Sequence, residues 1–507
     1  MQNSESPFVS LYTTIAALLF IFILWKILTR TSGNLPPGPW KLPIIGNLLN
    51  VGALPHRTLR DLAKKYGPVM HIKLGEISSV VISSPETAKI VLKTHDMLFA
   101  GRPFILAAHI IWYESTDIIY APYGEYWRRL RKFCITELLG AKRVQSYRQI
   151  RADESLNMIK TIAGSVGSSV NLSKIISSFS LNITSRSSLG KIDTKQEAEF
   201  MEHIHKFAEE LGGFSFSDLF PSIKILGVIS GERSRLEKLH RELDTTLENI
   251  MGDHEKRKAD AADSSQTEAE LLLDVLLNLQ ERGQLDFPIT RNNVKAVIMD
   301  MFVAGTSTSS AVIEWAMSEM MKNPRILRKA QAEVREVYKG KETIDETNLH
   351  MLNYLNLVIK ETLRMYPPGA ILVPRLAGEK TEIDGYEIPR KSTVLVNAWA
   401  INRDPNYWED AETFYPERFA DNSIDYKGTH YEYIPFGAGR RMCPGISFGL
   451  AVVELGLASL LYHFDWEIAD GVKPADLDMT ESWSGDLVRK NNLFLIPTSY
   501  LPLPVRS

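Results

Sequence analysis

Cys443 lies in the run Phe436-Gly437-Ala438-Gly439-Arg440-Arg441-Met442-Cys443-Pro444-Gly445, in which three glycines surround one thiol. Glycine lets the backbone pass close to a flat, bulky ligand. Pro444 suits the first position of a helix, so a long apolar helix is expected from about Pro444 to His463. Cys443 would then sit at a helix N-terminus, where the positive end of the dipole lowers a thiol pKa and favours thiolate. Arg440 and Arg441 add positive charge. A thiolate so placed can ligate a soft metal centre or act as a nucleophile; the plainer reading is a buried structural cysteine in a glycine-rich turn.

Three other segments have spacings that could serve chemistry. Ala304-Gly305-Thr306-Ser307-Thr308-Ser309 falls inside an apolar helix expected from Val294 to Met320. Ala304 and Gly305 leave room beside the helix, and Thr308 follows Ala304 by one turn on the same face. Its hydroxyl can donate a hydrogen bond and pass a proton, or the run is a small-residue packing patch. Glu361 and Arg364 are spaced to pair on one helix face, as are Trp127 and Arg131 for a shared contact. Such pairs are also common on solvated helices.

Phe436, Gly439, Arg441, Cys443 and Gly445 together resemble the haem-binding signature of the cytochrome P-450 monooxygenases, and the resemblance covers essentially the whole chain. The proline run Leu35-Pro36-Pro37-Gly38-Pro39 and the details of the motifs are similar to the plant microsomal branch that oxidises specialised metabolites. The resemblance implies that Cys443 ligates the iron of haem b and favours O–O cleavage. It implies haem contact at Phe436, and propionate contacts from Trp127, Arg131, Arg375 and Arg441. Arg418, in Phe414-Tyr415-Pro416-Glu417-Arg418-Phe419, would join Glu361 and Arg364 in a buried network serving folding and haem retention.

Ala304, Gly305, Ser307 and Thr308 would form the oxygen side. The family usually has an acid just before this threonine. Ser307 stands there instead, which leaves the usual proton relay without its carboxylate unless water or Ser309 replaces it. Substrate-facing segments would fall on Phe104 to Tyr113, including Trp112, on Met301 and Phe302, on Ile371 to Val373, and on Trp483 to Leu487. These are mainly apolar or aromatic, as a lipophilic small-molecule substrate requires. Asp486 is unusual among them and could orient a hydroxyl or amine.

These residues need a large scaffold. The chain has 507 residues, 44% hydrophobic and 23% charged, ordinary for a protein with a large core. A net charge of -3 gives no sign of nucleic-acid binding. Two cysteines, Cys134 and Cys443, exclude a disulfide framework and a Cys-rich zinc site. Leu11 to Leu28 is apolar apart from Thr13, Thr14 and Lys26, and its eighteen residues span about 27 Å, close to a bilayer core. Glu5 precedes it without any Lys or Arg, while Arg30 and Lys41 follow, so the positive-inside rule places the body in the cytosol. A cleaved signal would need a basic n-region.

The expected organisation is a membrane anchor at 1–30, a proline-rich hinge at 31–45 and a catalytic body at 46–507. The fold class is α+β, mostly helical: a cytochrome P-450 fold with a small N-terminal β region and an N-terminal transmembrane helix. Val69–Leu74 and Ser79–Ile82 read as strands, the stretch from Tyr126 to about Tyr338 as mostly helical, and Ala259 to Glu270 as an exposed loop.

The implied activity is insertion of one oxygen atom into a plant metabolite, with a terpenoid favoured. Electrons would come from NADPH through NADPH-cytochrome P-450 reductase, with cytochrome b5 as a further partner, at the endoplasmic reticulum membrane. No Gly-x-Gly-x-x-Gly fingerprint of its own appears in this chain. Arg128, Arg129 and Lys132 form an expected surface patch for the electron donor. The rivals are a haem-thiolate enzyme of oxidative rearrangement, favoured only by Ser307, and a non-enzymatic haem carrier or sensor, against which Thr308 argues.

Overall fold

The computed structural model describes residues 33–500 apart from 213–214, 224, 261–269 and 283–287, together with Thr13, Thr14, Ala17 and Phe20. The expected anchor Leu11–Leu28 otherwise lies outside the described residues. So does most of the expected loop Ala259–Glu270, whose first two residues finish a helix, Glu232–Asp260.

Six of the helices position the site: α1 (Glu125–Phe133), α2 (Leu172–Leu189), α3 (Arg291–Gly305), α4 (Ser307–Lys322), α5 (Asn353–Met365) and α6 (Ile446–His463). Helix α6 is apolar on nearly every face, and a helix of that kind belongs inside a core. Val452, Leu455, Leu457 and Leu460 are buried in the same cluster as Val312, Ile313 and Trp315 of α4. Fully burying each such side chain contributes roughly 1.5–3 kcal/mol. The α3–α4 stretch and α6 are each long and apolar enough to cross a membrane, and both lie mostly buried within the body.

The helix expected from Val294 to Met320 is two helices, α3 and α4, broken at Thr306. Its local chemistry explains the break. The Thr308 hydroxyl donates to the Ala304 carbonyl at 2.6 Å, and the Ser310 hydroxyl to the Ser307 carbonyl at 2.9 Å. Hydroxyls that bond the preceding turn's carbonyls compete with the helix ladder and bend it. Ser180 of α2 then donates to the carbonyls at the break, Thr306 at 3.0 Å and Gly305 at 3.4 Å, the first of which also accepts the Ser310 N–H at 3.3 Å.

A four-stranded sheet lies beside the helices. Its strands are β1 (Val69–Leu74), β2 (Ile77–Ile82), β3 (Arg375–Leu376) and β4 (Thr393–Val396), in the order β1-β2-β4-β3. β1 and β3 run antiparallel to their neighbours, while β2 pairs parallel with β4, Ser79 opposite Thr393. The expected strands are thus present, with β2 beginning two residues earlier than the β-branched run suggested. The proline segment is extended and docked on this sheet, since His71 N–H donates to the Pro37 carbonyl at 2.8 Å. A hairpin of β5 (Glu481–Trp483) and β6 (Leu487–Arg489), with Leu487 opposite Trp483, returns late in the chain to reach α4.

Candidate haem-thiolate active site

Between α3–α4 and the cysteine loop lies a cavity of about 1770 Å³. The loop is shaped by backbone needs. Gly439 has φ +72°, and a Cβ there would come within 2.0 Å of the Leu92 carbonyl oxygen, so only glycine fits. After the turn Gly439–Arg441 the chain delivers Cys443 to the cavity wall.

Helix α6 begins at Ile446 and not at Pro444. Gly445, at φ -90° and ψ 13°, takes the cap position and pushes the start two residues on. The Cys443 sulfur is exposed, but toward the cavity, with protein packed densely around it. Burial therefore pushes its thiol pKa up, against the Gly445 N–H and Arg131, which pull it down. The expected lowering by the helix end alone does not hold. A metal cation bound by Cys443 would supply the missing charge, because a coordinating thiol is deprotonated outright.

One side of the cavity carries four guanidiniums, Arg102, Arg131, Arg375 and Arg441. Arg375 donates to Asp96 at 2.8 Å and to the Ala438 carbonyl at 3.0 Å. Arg441 donates to the carbonyls of Ala100 at 3.0 Å and Ala121 at 2.6 Å. Arg131 donates to the Met442 carbonyl. Arg102 donates to the carbonyls of Ile119, Val373 and Pro374. Carbonyls satisfy the N–H groups but leave most of the charge uncompensated. Burial, then the other guanidiniums, push Arg441 down to about 8. Burial, with Arg375 next, pushes Arg102 down to about 9. A ligand bearing two carboxylates beside a flat apolar body fits this wall, and haem is such a ligand.

Arg102 is absent from the sequence-based expectations. It had a signal, being the one formally charged side chain between Asp96 and Glu114 in an apolar stretch. The bridge of Gly101 to Leu376 places it beside Arg375. Trp127, expected at a propionate, does not line the cavity. It is buried, its indole N–H donates to the Ile118 carbonyl at 2.9 Å, and the Arg441 guanidinium lies 4.0 Å from its ring centroid. It positions an arginine.

Opposite the cysteine, Ala304, Gly305, Ser307 and Thr308 all line the cavity, as does Phe436 on the cysteine loop. Of the expected substrate residues, Phe104, Trp112, Met301, Ile371, Val373 and Trp483 line it too. Phe302 does not: it is buried against Phe200, ring centroids 4.8 Å apart. Asp486 lines the cavity and accepts a 2.5 Å hydrogen bond from the Ser307 hydroxyl. Asp300 on α3 also lines it, accepting from Ile118 N–H at 2.7 Å.

Below the site, Glu361 is fully buried and holds both arginines expected for it. Arg364 donates at 2.8 and 2.9 Å, and Arg418 at 2.9 Å. Arg364 also donates to the carbonyls of Asn402 and Ala411, tying α5 to the segment preceding the cysteine loop. On the surface, Arg128 and Lys132 are exposed, while Arg129 pairs with Glu125.

One thiol, an anion-seeking arginine wall and a small-residue helix face around one cavity define a haem-thiolate protein. The Cytochrome P450 family model matches residues 36–497. Premnaspirodiene oxygenase of Hyoscyamus muticus is 51% identical over 498 residues, covering 98% of this chain and 99% of that protein. Salviol synthase of Salvia pomifera is 50% identical, with 98% and 99% covered. 5-epiaristolochene 1,3-dihydroxylase of Nicotiana tabacum is 49% identical, with the same coverage. A zebra fish cytochrome P450 structure with abiraterone superposes with a TM-score of 0.75 at 22% identity, covering 89% of this chain and 100% of that one, which supports the fold. The chain belongs to the cytochrome P450 family. It is a monooxygenase whose cofactor is haem b, drawing NADPH electrons through a partner reductase and acting on a lipophilic substrate.

Proposed function

We propose that this enzyme hydroxylates or epoxidises a terpenoid. The observation carrying the reading is the apolar cavity wall of Phe104, Leu106, Met301, Ile371, Val373 and Trp483, which shares one chamber with Cys443 and Thr308. Such a wall binds hydrocarbon by burial and leaves a few polar groups to orient it. The three plant relatives at about half identity, two of them named for the substrates premnaspirodiene and 5-epiaristolochene, support the same class. Cys443 would hold the haem, which would supply dioxygen activation, with a thiolate ligand favouring O–O cleavage. One oxygen atom enters the substrate and the other leaves as water, consuming two electrons from NADPH and two protons.

The chain's own residues prepare that reaction. Arg102, Arg131, Arg375 and Arg441 would hold the propionates, with Trp127 behind Arg441. Ala304 and Gly305 would leave space for the cofactor, and Thr308, on the same cavity wall, would bring a hydroxyl for proton delivery. The apolar wall excludes water from the reacting carbon. The body sits on the cytosolic face of the endoplasmic reticulum through the anchor Leu11–Leu28, with cytochrome b5 as a second electron donor. Oxidative rearrangement drew its support from the missing acid at 307, and the carboxyl of Asp486 beside Ser307 takes that support away.

The test is metabolite profiling of cells co-expressing the chain, a reductase and a panel of terpene synthases. A product heavier by one oxygen atom, absent with Cys443→Ser, is expected. Untouched terpenes together with oxidation of phenolic or alkaloid substrates would overturn the terpenoid reading.

A further inference from the structure

Ser307 and Asp486 are separated by 179 positions and joined by a 2.5 Å hydrogen bond at the cavity wall. Fold geometry forces the meeting. Gly485, with φ +95°, turns the tip of the β5–β6 hairpin in a conformation that L side chains rarely adopt. Helix α4 then pins the hairpin. Trp315 Nε1 donates to the Leu487 carbonyl at 3.2 Å, and Arg489 donates to the Ser318 hydroxyl at 3.1 Å. The Leu487 N–H donates to the Pro368 carbonyl at 2.9 Å. Asp486 is thereby held on the residue before Thr308.

Its carboxyl is partly open to the cavity and otherwise enclosed by protein. Among the described residues, Ser307 is its hydrogen-bond partner and no cation pairs with it. A surface ion pair or a fold-stabilising carboxylate would be expected to have a cation or several N–H donors. Burial raises its pKa above the usual carboxylate range, which suits a group that takes up and gives up protons.

We propose that Asp486 is the acid of this enzyme's proton relay, acting through the Ser307 hydroxyl in place of a carboxylate at position 307. Asp486 is a positioning residue in this role, since Ser307 stands between it and the reacting atoms. Ser307 donates to the ionised carboxylate, and once Asp486 is protonated the bond reverses. In one passage the carboxyl gives its proton to Ser307 Oγ while Ser307, its hydroxyl hydrogen turned to the cavity, releases that proton to water beside Thr308. The carboxylate then regains a proton from solvent. One proton moves, no electron does, and two passages serve one turnover.

The proposal rests on the monooxygenase reading and is separable from it. The experiment uses full-length holoenzyme with reductase, as wild type, Asp486→Asn, Ser307→Ala and the exchange Ser307→Asp with Asp486→Ser. A thiolate-type carbon monoxide band in every variant shows that the haem site is intact, and its absence from wild type would instead sink the haem-thiolate reading. Infrared difference spectra, which need no substrate, identify the carboxyl or carboxylate band missing from Asp486→Asn. That band should shift in Ser307→Ala.

With premnaspirodiene as probe, product per NADPH should fall at least ~10-fold in Asp486→Asn, given the usual ~10²–10⁴-fold value of acid–base help. Hydrogen peroxide should rise in step, and the exchange variant should recover most of the loss. An Asp486 band indifferent to Ser307→Ala overturns the proposal, whether or not the probe is turned over. So does an Asp486→Asn enzyme that changes KM alone and keeps the product-to-peroxide split, which would make Asp486 a substrate anchor.

Discussion

The backbone N–H of Cys443 donates to the carbonyl of Phe436 at 3.0 Å. That bond closes the glycine-rich run into a ring with the sulfur facing the cavity and the Phe436 side chain on its wall. The loop is held from outside as well, because Asp96 accepts from the Arg440 N–H at 2.8 Å and from Arg375 at 2.8 Å. A thiol so fixed is pre-positioned for one ligand, and the surrounding residues make separate, measurable contributions.

Arg364→Leu leaves the Glu361 carboxylate buried with one cation fewer. Removing one partner of a buried pair costs about 3–5 kcal/mol. Urea unfolding of the purified protein should show a loss of that order, with a lower haem content per chain. Arg128→Leu, on the exposed surface, should change neither, within about 0.5 kcal/mol.

Arg102→Leu should weaken haem retention while the carbon monoxide band of the remaining holoenzyme keeps its position. A hydrogen bond to a charged group contributes about 1.5–3 kcal/mol, so transfer of haem to an excess of apomyoglobin should run roughly 10–100-fold faster than in wild type. Arg102→Lys, which keeps the charge and loses the fork, should fall between.

Ile371→Phe adds bulk to the apolar wall. Overpacking costs typically 1–3 kcal/mol, so spectral titration with a terpenoid probe should show binding weakened by about 10–100-fold. Phe302→Leu, behind the wall, should leave that titration within a factor of about three while lowering stability.

Asp300 and Asp117 give a pH dependence. Burial pushes both carboxyls up, Asp117 to about 6, and the charge of Asp117 raises Asp300 further. An acid whose folded pKa exceeds its unfolded value costs stability once pH passes the unfolded value, and the cost grows until pH reaches the folded one. Asp300→Asn keeps an acceptor for Ile118 N–H and removes the charge. Its stability relative to wild type should therefore rise as pH increases above about 4, the usual carboxyl value, read as the shift in urea midpoint at each pH.

What the sequence disclosed follows from how local each relationship is. Glu361 and Arg364 are one helical turn apart, and Cys443 lies in a ten-residue run, so type and spacing carry the chemistry. Arg418 was placed by resemblance and lands on Glu361. Met301 and Phe302 were expected to face the substrate together, yet successive helical positions differ by about 100°, and only Met301 lines the cavity. The break at Thr306 depends on hydroxyls of Thr308 and Ser310 choosing carbonyls over solvent, which composition alone does not decide. Ser307 and Asp486 each stood out, one as a departure and one as an isolated acid in an apolar segment. Their connection required the β5–β6 hairpin to fold back on α4.

The central claim is that the Cys443 thiolate holds haem iron, and the reduced carbon monoxide difference spectrum tests it most directly. Wild type should show the long-wavelength Soret band characteristic of thiolate ligation. Cys134→Ser should keep it, because Cys134 is buried away from the cavity. Cys443→Ser should lose it entirely. A Cys443→Ser protein that retains the band would contradict the assignment of the sulfur and, with it, the account of the site.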